Sequence, residues 1–173
     1  MISPTEDTMS QGDGPAQTER IIGGVDILDV AACTGLRLRR TARMATQFFE
    51  GHLQPTGLTI GQFGVMAQLY GCGLRGGPVT IKELSALIGM DPTTLNRTLK
   101  PLEAQGFVST AASERDRRAR CIHLTPAGRE RLAAAMPLWQ AADREFRAVV
   151  GEQTTVALSS LLDLTDRKLR ATE

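Results

Sequence analysis

Apolar residues recur at helical spacing along most of the chain, in segments that glycine and proline separate. The first segment runs from Val25 to His52, with Leu28 and Phe49 on its apolar face and no proline inside it. It predicts one amphipathic helix, longer than a typical globular helix, which the segment QPTG at 54–57 ends. A long amphipathic helix near a terminus often packs against a partner chain.

A second helix is predicted to begin at Thr59, because Gln62 lies three residues later and completes a capping box. This helix is expected to end in the glycine-rich loop GCGLRGGP over residues 71–78. No strand precedes that loop and no Gly-Lys-Ser/Thr follows, so a connector is favoured over a phosphate-binding loop. The residues expected to face inward are Phe63, Met66, Ala67 and Tyr70.

The next segment predicts two short helices joined by a tight turn. Thr80 and Glu83 form a second capping box, and Gly89 ends the helix that they begin. Asp91 is then a favoured N-cap residue, with Pro92 at the first helical position. Two helices connected in this way are typical of a helix-turn-helix, whose second helix can enter a major groove of DNA.

The second of these helices has one apolar and one polar face. At 100° per residue, Leu95, Leu99 and Leu102 fall on the same side. The first residues of such a helix reach base edges, and an arginine among them can bind guanine in a bidentate manner. The predicted base readers are Thr93, Thr94, Asn96 and Arg97, and the predicted phosphate contact is Lys100.

A wing is predicted after this helix. Phe107-Val108 and residues 121–124 are β-like, and the turn between them is rich in arginine. Such a tip suits contact with the DNA backbone or a narrow minor groove. An acidic residue there is expected to orient a neighbouring arginine, since a paired guanidinium loses less freedom on binding. The wing-tip candidates are Arg115, Arg117 and Arg118, with Asp116 as the orienting residue.

Two more helices are predicted after the wing. Thr125-Pro126 begins the first in the same way as Asp91-Pro92, and the second runs from about Glu152 to Arg170. The last helix contains too many leucines to be stable alone in water, so it requires a partner surface.

Charge adds a local feature to this pattern. The chain has 20 basic and 19 acidic residues, a net charge of +1. Residues 1–29 hold six acids and one base, a balance of −5, whereas residues 75–131 hold ten bases and six acids, a balance of +4. A basic centre in a neutral chain is typical of a localised nucleic-acid surface, although solvated helix faces are also basic.

Composition argues against several other classes of protein. No apolar run approaches the ~18 residues of a membrane span, and the N-terminus lacks the pattern of a secretory signal. The three cysteines fit neither a disulfide framework nor a zinc spacing, and neither histidine has a partner at ligand spacing. We therefore expect a cytoplasmic protein with no metal, cofactor or membrane partner, and a mobile tail over residues 1–20.

The motifs resemble, in order and spacing, those of the MarR family of bacterial transcription regulators. The resemblance covers roughly residues 25–170. Its most specific part is the Asp-x-Arg pattern of the wing followed by Leu-Thr-x-x-Gly at the exit of the strand. The matching segments are Leu58-Thr59, Gln62-Phe63, Leu84-Ser85, Thr94-Leu95-Asn96-Arg97, Leu102-Glu103, Gly106-Phe107-Val108, Asp116-Arg117-Arg118-Ala119 and Leu124-Thr125-Pro126-Ala127-Gly128.

The resemblance implies a mainly α fold with a small β-wing, a winged helix-turn-helix that dimerises through intertwined N- and C-terminal helices. The corresponding regions would be a tail (1–20), an N-terminal dimerisation helix (21–57), the DNA-binding domain (58–125) and C-terminal dimerisation helices (126–173). It also implies that Arg118 enters the minor groove while Asp116 holds it. Many members carry arginines where this chain has Thr110 and Ala111, which weakens the base of the wing as a DNA contact.

Family members commonly lose DNA affinity when they bind a small phenolic or carboxylate ligand, so the resemblance also implies an effector. Such ligands usually lie between the dimer helices and the DNA-binding lobe. Arginines on an otherwise apolar helix suggest an anionic ligand, with surface or interchain ion pairs as the alternative. The candidate lining residues are Arg39, Arg43, Met44, Phe48, Met66, Tyr70 and Trp139.

Oxidation of a cysteine is the other control found in the family, and Cys33 is its candidate. Cys33 lies in the first predicted helix, where oxidation-sensing relatives keep their reactive cysteine. Reactivity requires a lowered pKa, which Arg37 one turn away would favour and Asp29 one turn in the other direction would oppose. A buried structural cysteine is the alternative.

Three classes of function are compatible with these patterns. The favoured one is a sequence-specific transcriptional regulator, a repressor that binds an inverted repeat in double-stranded DNA as a homodimer. A winged-helix interaction module without DNA affinity is the second, but protein interfaces prefer apolar and aromatic anchors to the polar face predicted here. An enzyme is the third, and no nucleophile–base pair, carboxylate pair or metal cluster favours it.

Overall fold

The computed structural model describes residues 20–75, 77, 79–112 and 120–172. The predicted tail therefore lies outside the described residues, apart from Arg20. Helices dominate the described part of the chain and the strands are short, which confirms the mainly α class with a small β-sheet. The chain divides into two units between Met44 and Ala45.

The N-terminal unit begins with a β-hairpin that the helical pattern did not predict. Strands β1 (Ile21–Ile22) and β2 (Val25–Asp26) pair in antiparallel fashion. The turn between them, Gly23-Gly24, has φ values of 60° and 82°, and positive φ at both central residues is what a two-residue hairpin turn favours. The Gly-Gly pair between apolar residues is thus the sequence signal for this hairpin.

The single helix predicted from Val25 to His52 is wrong, because two helices replace it. α1 (Ile27–Ala31) begins where Asp26 accepts a hydrogen bond from the backbone N–H of Leu28 at 2.9 Å. Ala32 and Cys33 separate it from α2 (Thr34–Leu53). The second helix starts with a β-branched residue and a glycine, which both disfavour one continuous helix at this point.

The C-terminal unit begins inside α2. A 3-10 turn over Gln54–Thr56 follows the helix, and Gly57 leaves that turn with a φ of 70°, which confirms the predicted stop. α3 (Ile60–Arg75) comes next. Its first turn holds the predicted capping box, because Thr59 and Gln62 each accept a hydrogen bond from the other's backbone N–H, at 3.1 and 3.0 Å.

α3 is longer than the sequence pattern predicts. It continues from Tyr70 to Arg75, so the loop expected from residue 71 is wrong over its first five residues. Two glycines in this stretch cost about 0.5–1 kcal/mol each in a helix, and packing of the helix against the sheet outweighs that cost. Phe63 and Met66 are buried as predicted, whereas Tyr70 is 45% exposed and the prediction that it faces inward is wrong.

The helix-turn-helix and the wing strands occupy the centre of this unit. α4 (Ile81–Ile88) and α5 (Pro92–Ala104) form the helix pair. Strands β3 (Val79–Thr80), β4 (Val108–Ala112) and β5 (Arg120–Leu124) form an antiparallel sheet in the order β3-β5-β4. The pairing of β4 with β5 confirms the predicted wing strands. β3 was not predicted, because two residues are too few to show a period-two pattern.

Two long helices complete the described chain. α6 (Pro126–Val150) and α7 (Glu152–Arg170) have the predicted starts. The core of the C-terminal unit lies between α3, α4, α5, the sheet and α6. Its largest fully buried side chains are those of Leu53, Met66, Leu84, Leu95, Leu102, Ile122 and Val65.

The segment that joins β5 to α6 is held against the start of β4. The hydroxyl of Thr125 donates to the carbonyl oxygens of Gly106 and Phe107, at 2.7 and 3.1 Å, and accepts from the N–H of Gly128. A Cβ at Gly128 would lie 2.0 Å from the carbonyl oxygen of Phe107. Close backbone contact therefore explains the Thr-x-x-Gly pattern.

An aromatic cluster connects the end of α2 to α6 within the C-terminal unit. The rings of Phe48 and Phe49 lie 5.8 and 5.6 Å from that of Phe146. His52 packs on Phe48, with Nδ1 3.1 Å from the Phe48 carbonyl oxygen and Nε2 3.1 Å from a carboxylate oxygen of Glu145. Both partners are acceptors, so both ring nitrogens can donate only when the imidazole is protonated. These bonds raise the pKa of His52.

Gly128→Ala is expected to destabilise the protein by about 3 kcal/mol, because the added methyl group must displace backbone that has no room to move. Urea unfolding followed by circular dichroism measures this change. Gly64→Ala is the control, since a Cβ there meets nothing within 4 Å and the change should stabilise α3 by up to about 1 kcal/mol. Equal stability of the two variants would contradict the close approach of Gly128 to the carbonyl oxygen of Phe107.

The contact between His52 and Glu145 is expected to stabilise the protein only while His52 is protonated. Because folding raises the pKa of His52, this contribution is fully present below pH ~6.5 and is lost as the pH rises through the higher folded value. The melting temperatures of wild type and Glu145→Gln should therefore differ at pH 5.5 and converge at alkaline pH. Glu130→Gln, an exposed change on the same helix, should show no such trend. If the melting temperatures of wild type and Glu145→Gln differed by the same amount at every pH, the proposed contact between His52 and Glu145 would be excluded.

Candidate nucleic-acid interface

The turn between α4 and α5 is fixed by backbone hydrogen bonds. Gly89 ends α4 with a φ of 65°, and its N–H donates to the carbonyl oxygen of Ser85. The N–H of Met90 donates to the same oxygen at 3.1 Å. A left-handed residue with these two bonds is a common way to end a helix, and it sets the direction in which α5 leaves.

Asp91 caps α5 with both oxygens of its carboxylate. Oδ1 accepts from the backbone N–H groups of Thr93 and Thr94, each at 2.9 Å, and Oδ2 accepts from the Thr94 hydroxyl. The hydrogen bond from the Thr94 side chain is the largest cause of a lowered pKa at Asp91. Pro92 has no N–H, so the first amides of α5 are already occupied within the protein and are not open to a phosphate.

α5 presents opposite faces to the core and to solvent, as predicted. Leu95 and Leu102 are fully buried and Leu99 is 5% exposed. Four of the predicted DNA contacts, Thr93, Asn96, Arg97 and Lys100, are exposed on the polar face opposite these leucines. Within the described part of the chain, their side chains form no hydrogen bond or ion pair. The face therefore offers one hydroxyl, one amide and two cations to an external partner.

Thr94 differs from the other predicted base readers. It is exposed, but its hydroxyl donates to Asp91 and its carbonyl oxygen accepts from the Thr98 hydroxyl at 3.1 Å. The hydroxyl oxygen of Thr94 can still accept a hydrogen bond, but its O–H group already donates to the carboxylate of Asp91. The structure thus brings Thr93, Asn96, Arg97 and Lys100 together on one surface and leaves Thr94 at its edge.

The base of the wing is linked to the end of α5 by side chains. The Thr110 hydroxyl donates to Glu103 at 2.6 Å and accepts from a guanidinium nitrogen of Arg120 at 2.6 Å. Arg120 is exposed and lies opposite Ala112 in the β4–β5 register. Sequence reasoning missed this cation, although it adjoins the predicted strand. The predicted wing-tip residues Arg115, Asp116, Arg117 and Arg118 lie outside the described residues.

A contact from α7 to α4 was also missed. A guanidinium nitrogen of Arg170 donates to the carbonyl oxygen of Ala86, in the last turn of α4. The Met90 N–H that would continue the helical pattern to Ala86 bonds Ser85 instead, so Arg170 satisfies a helix-end carbonyl. Asp166 holds the same guanidinium from one turn earlier, at 2.8 Å. No sequence pattern signals a contact over 84 residues.

The seven residues predicted to line an effector site have different environments. Arg39, Arg43 and Met44 belong to the N-terminal unit and are exposed. In the C-terminal unit, Met66 is fully buried, and Trp139 stacks on Phe63 with 6.0 Å between ring centroids. Phe48 belongs to the aromatic cluster. Tyr70 lines a cavity of about 300 Å³.

Cys33 is exposed between α1 and α2. Hydrogen bonds from the backbone N–H groups of Leu36 and then Gly35 lower the pKa of its thiol. The backbone amides at the start of α2 therefore lower this pKa, whereas the sequence pattern had pointed to the guanidinium of Arg37. Cys72 is half-buried and Cys121 is buried in β5.

The described residues contain no cluster of three or more histidine, cysteine, aspartate or glutamate side chains that could hold a metal ion. No helix in this part of the chain is long and apolar enough to span a membrane.

This fold, with its capped and solvent-facing helix, is that of a winged helix-turn-helix transcription regulator. A model of the MarR family matches residues 56–119. The M. tuberculosis transcriptional regulator MosR, solved in complex with DNA, is 33% identical, and the match covers 78% of this chain and 97% of MosR with a TM-score of 0.66. The chain belongs to the MarR family. This membership places it among transcriptional regulators rather than enzymes.

Two other relatives agree with the assignment. The HTH-type transcriptional regulator YwoH of Bacillus subtilis is 33% identical over 89 residues, which are 51% of this chain and 61% of YwoH. The chain thus spans less than two thirds of that relative. Wild-type MarR of E. coli in its apo form is 21% identical, with a TM-score of 0.61 over 77% of this chain and 96% of that chain, and it shows the shared fold.

Proposed function

We propose that this protein is a sequence-specific DNA-binding repressor that acts as a homodimer on an inverted-repeat operator. The observation that carries the proposal is the exposed polar face of α5, formed by Thr93, Asn96, Arg97 and Lys100. The opposite face is anchored in the core, so the backbone of these four residues keeps a fixed position in the domain. Donor side chains carried on one face of an anchored helix fit the edges of bases in a major groove.

Each residue of this face has a separate role in the proposal. Arg97 binds guanine in a bidentate manner, and Asn96 suits an adenine. Thr93 adds a hydroxyl at the start of the helix, whereas Lys100, one turn on, meets phosphate. Arg118 at the wing tip enters the minor groove with Asp116 as its orienting partner, as the family resemblance implies.

A homodimer is supported by apolar side chains that the single chain leaves in solvent. α7 exposes Val156, Leu161, Leu162 and Leu169 by 46–64%. The N-terminal unit also exposes apolar residues of its hairpin and of α1. A second copy of the chain would remove such surfaces from water. It would also place two α5 helices on half-sites about one helical turn of DNA apart.

A winged-helix interaction module without DNA affinity is the competing class. The solvent face of α5 contains no aromatic or large apolar side chain, so it lacks the anchors that protein interfaces favour. Two cations on that face instead suit a phosphate backbone, whose binding weakens steeply with salt.

We propose further that a small anionic or aromatic ligand releases the operator. Arg39 and Arg43 are exposed on α2, next to Met44, which is 60% exposed. Cations beside apolar surface suit a carboxylate that carries an aromatic body.

Arg97→Ala should reduce discrimination between operator variants, because the loss of one bidentate base contact costs about 1–3 kcal/mol at a single base pair. Arg118→Ala should instead weaken binding to all sequences and lower the slope of log affinity against log salt by about 1. Fluorescence anisotropy with DNA from upstream of the chain's own gene measures both effects over a salt series.

Arg144→Ala is the matched control, since Arg144 is exposed on α6 and belongs to neither of the elements proposed to contact DNA. It should leave affinity and specificity unchanged. Equal affinity of the wild type for operator and random DNA would exclude a sequence-specific regulator, and the absence of any salt-dependent DNA binding would favour the interaction module.

We propose oxidation of Cys33 as the alternative control of the same regulator. Cys33 is exposed, and the backbone N–H groups of Leu36 and Gly35 lower the pKa of its thiol, which favours the thiolate. With hydrogen peroxide as oxidant, the thiolate attacks one peroxide oxygen and the O–O bond breaks. The sulfur becomes a sulfenic acid, and the hydroxide that leaves takes up a proton to form water.

Cys33→Ser should retain operator binding in peroxide concentrations that release the wild type. Cys72→Ser is the control and should be released like the wild type, because its thiol has no comparable amide contacts in the described residues. Fluorescence anisotropy measures operator binding of both variants after peroxide treatment, and again after dithiothreitol has been added to restore binding. Release of Cys33→Ser at wild-type peroxide concentrations would rule out this control.

A further inference from the structure

The buried face of the two wing strands continues out of the core to the surface. Side chains alternate across a strand, so residues that lie opposite each other in β4 and β5 share one face of the sheet. On one face Thr110 and Arg120 follow Ile122, which is buried. Thr110 is half-buried and Arg120 is exposed. Arg120 is therefore the residue at which this face reaches solvent. The opposite pairs on it are Val108 with Leu124, Thr110 with Ile122, and Ala112 with Arg120.

Arg120 is held on the side of the unit where α5 presents its polar face. Its guanidinium donates to the Thr110 hydroxyl at 2.6 Å, and that hydroxyl donates to the carboxylate of Glu103 at 2.6 Å. Glu103 follows Lys100 by three positions and Asn96 by seven, so the helical period places all three on the same side of α5. The polar face of α5 therefore continues through Glu103 and Thr110 to Arg120.

This network gives the guanidinium of Arg120 a defined orientation. A hydroxyl has one proton, and that of Thr110 goes to Glu103, so its oxygen can only accept from Arg120. The bond to Thr110 engages one nitrogen of a group that carries five N–H donors, which leaves donors for the oxygens of a phosphate. Glu103 cannot attract a phosphate by charge, so its part in the network is to orient Thr110.

Arg120 also lies between the two elements proposed to enter the grooves of DNA. The proposed function places α5 in a major groove and Arg118, two positions before Arg120, in a minor groove beside it. One sugar-phosphate backbone separates two adjacent grooves. Arg120 is the one lysine or arginine in the two described wing strands, so it is their only permanent positive charge.

We propose that Arg120 binds the phosphate backbone between the major groove read by α5 and the minor groove at the wing tip, with Thr110 and Glu103 as its positioning residues. The assignment rests on the proposed function, since it requires α5 and the wing to contact one DNA duplex together. Arg120 thereby supplies from β5 the cation that Thr110 and Ala111 of β4 lack.

Fluorescence anisotropy with operator and random DNA, over a salt series, tests the contact. Arg120→Gln should weaken binding to both DNAs by about five- to tenfold for each bound copy at 0.1 M salt. It should also lower the slope of log affinity against log salt by about 1 for each copy. Arg120→Lys should keep the slope, because the charge remains. Arg144→Gln is the matched control, an exposed change on α6 that should leave affinity and slope at their wild-type values.

Thr110→Val tests the positioning role, because it removes the hydroxyl and keeps the shape of the side chain. It should weaken binding by about two- to fivefold, the effect of a guanidinium that must be ordered on binding, without a change in the salt slope. Thr110→Ser should restore wild-type affinity. Wild-type affinity of Thr110→Val, or equal losses in Thr110→Val and Thr110→Ser at unchanged melting temperature, would overturn the positioning role.

Duplexes in which single phosphates are replaced by neutral methylphosphonates locate the contact. At one position in each half-site, the replacement should weaken the wild type and leave Arg120→Gln unaffected. The assignment is overturned if Arg120→Gln binds like Arg144→Gln, or if every replacement weakens Arg120→Gln as much as the wild type. Equal affinity of the wild type for operator and random DNA would overturn the proposed function alone, because the salt slope of Arg120→Gln can still be measured on random DNA.

Discussion

Burial of the leucine face of α5 is the interaction on which the rest of the site depends. Leu95 and Leu102 have no solvent exposure and Leu99 almost none, so the rotation of the helix about its own axis is determined by the core. That rotation decides which side chains face solvent. Complete burial of a leucine stabilises the fold by about 1.5–3 kcal/mol, which is enough for three of them to hold one orientation.

The ends of α5 are fixed by polar contacts that complement this packing. Asp91 occupies the amides of the first turn, and Glu103 joins the last turn to Thr110 in the wing strand. A tilt of the helix would therefore disturb the hydrogen bond between Glu103 and Thr110 of β4.

Local signals made much of this region predictable from the sequence. The Thr80–Glu83 capping box and the Asp91-Pro92 start are determined by residues within four positions of each other, and the structure has both where they were expected. The spacing of Leu95, Leu99 and Leu102 likewise predicted the correct buried face of α5. Once the start of a helix is known, the helical period places these leucines on one side only. The Thr-x-x-Gly pattern before α6 was matched by resemblance, and the backbone contact at Gly128 supplies its physical reason.

Elements that depend on distant contacts were not predictable in this way. β3 exists because β5, more than 40 positions later in the sequence, pairs with it, and the contact of Arg170 with α4 spans 84 residues. α3 continues through Gly71 and Gly73 because the sheet packs against it. The hairpin before α1 was missed for a different reason, since its Gly-Gly turn was a local signal that the apolar periodicity of the segment concealed.

Hydroxyl-radical footprinting of DNA from upstream of the chain's own gene tests the central claim most directly, namely that two copies of the α5 face read an inverted repeat. The account predicts two protected half-sites related by a dyad, with centres about one helical turn apart, and a loss of contrast between specific and random DNA in Arg97→Ala. Protection of a single half-site by one chain, or uniform protection without a dyad, would contradict it.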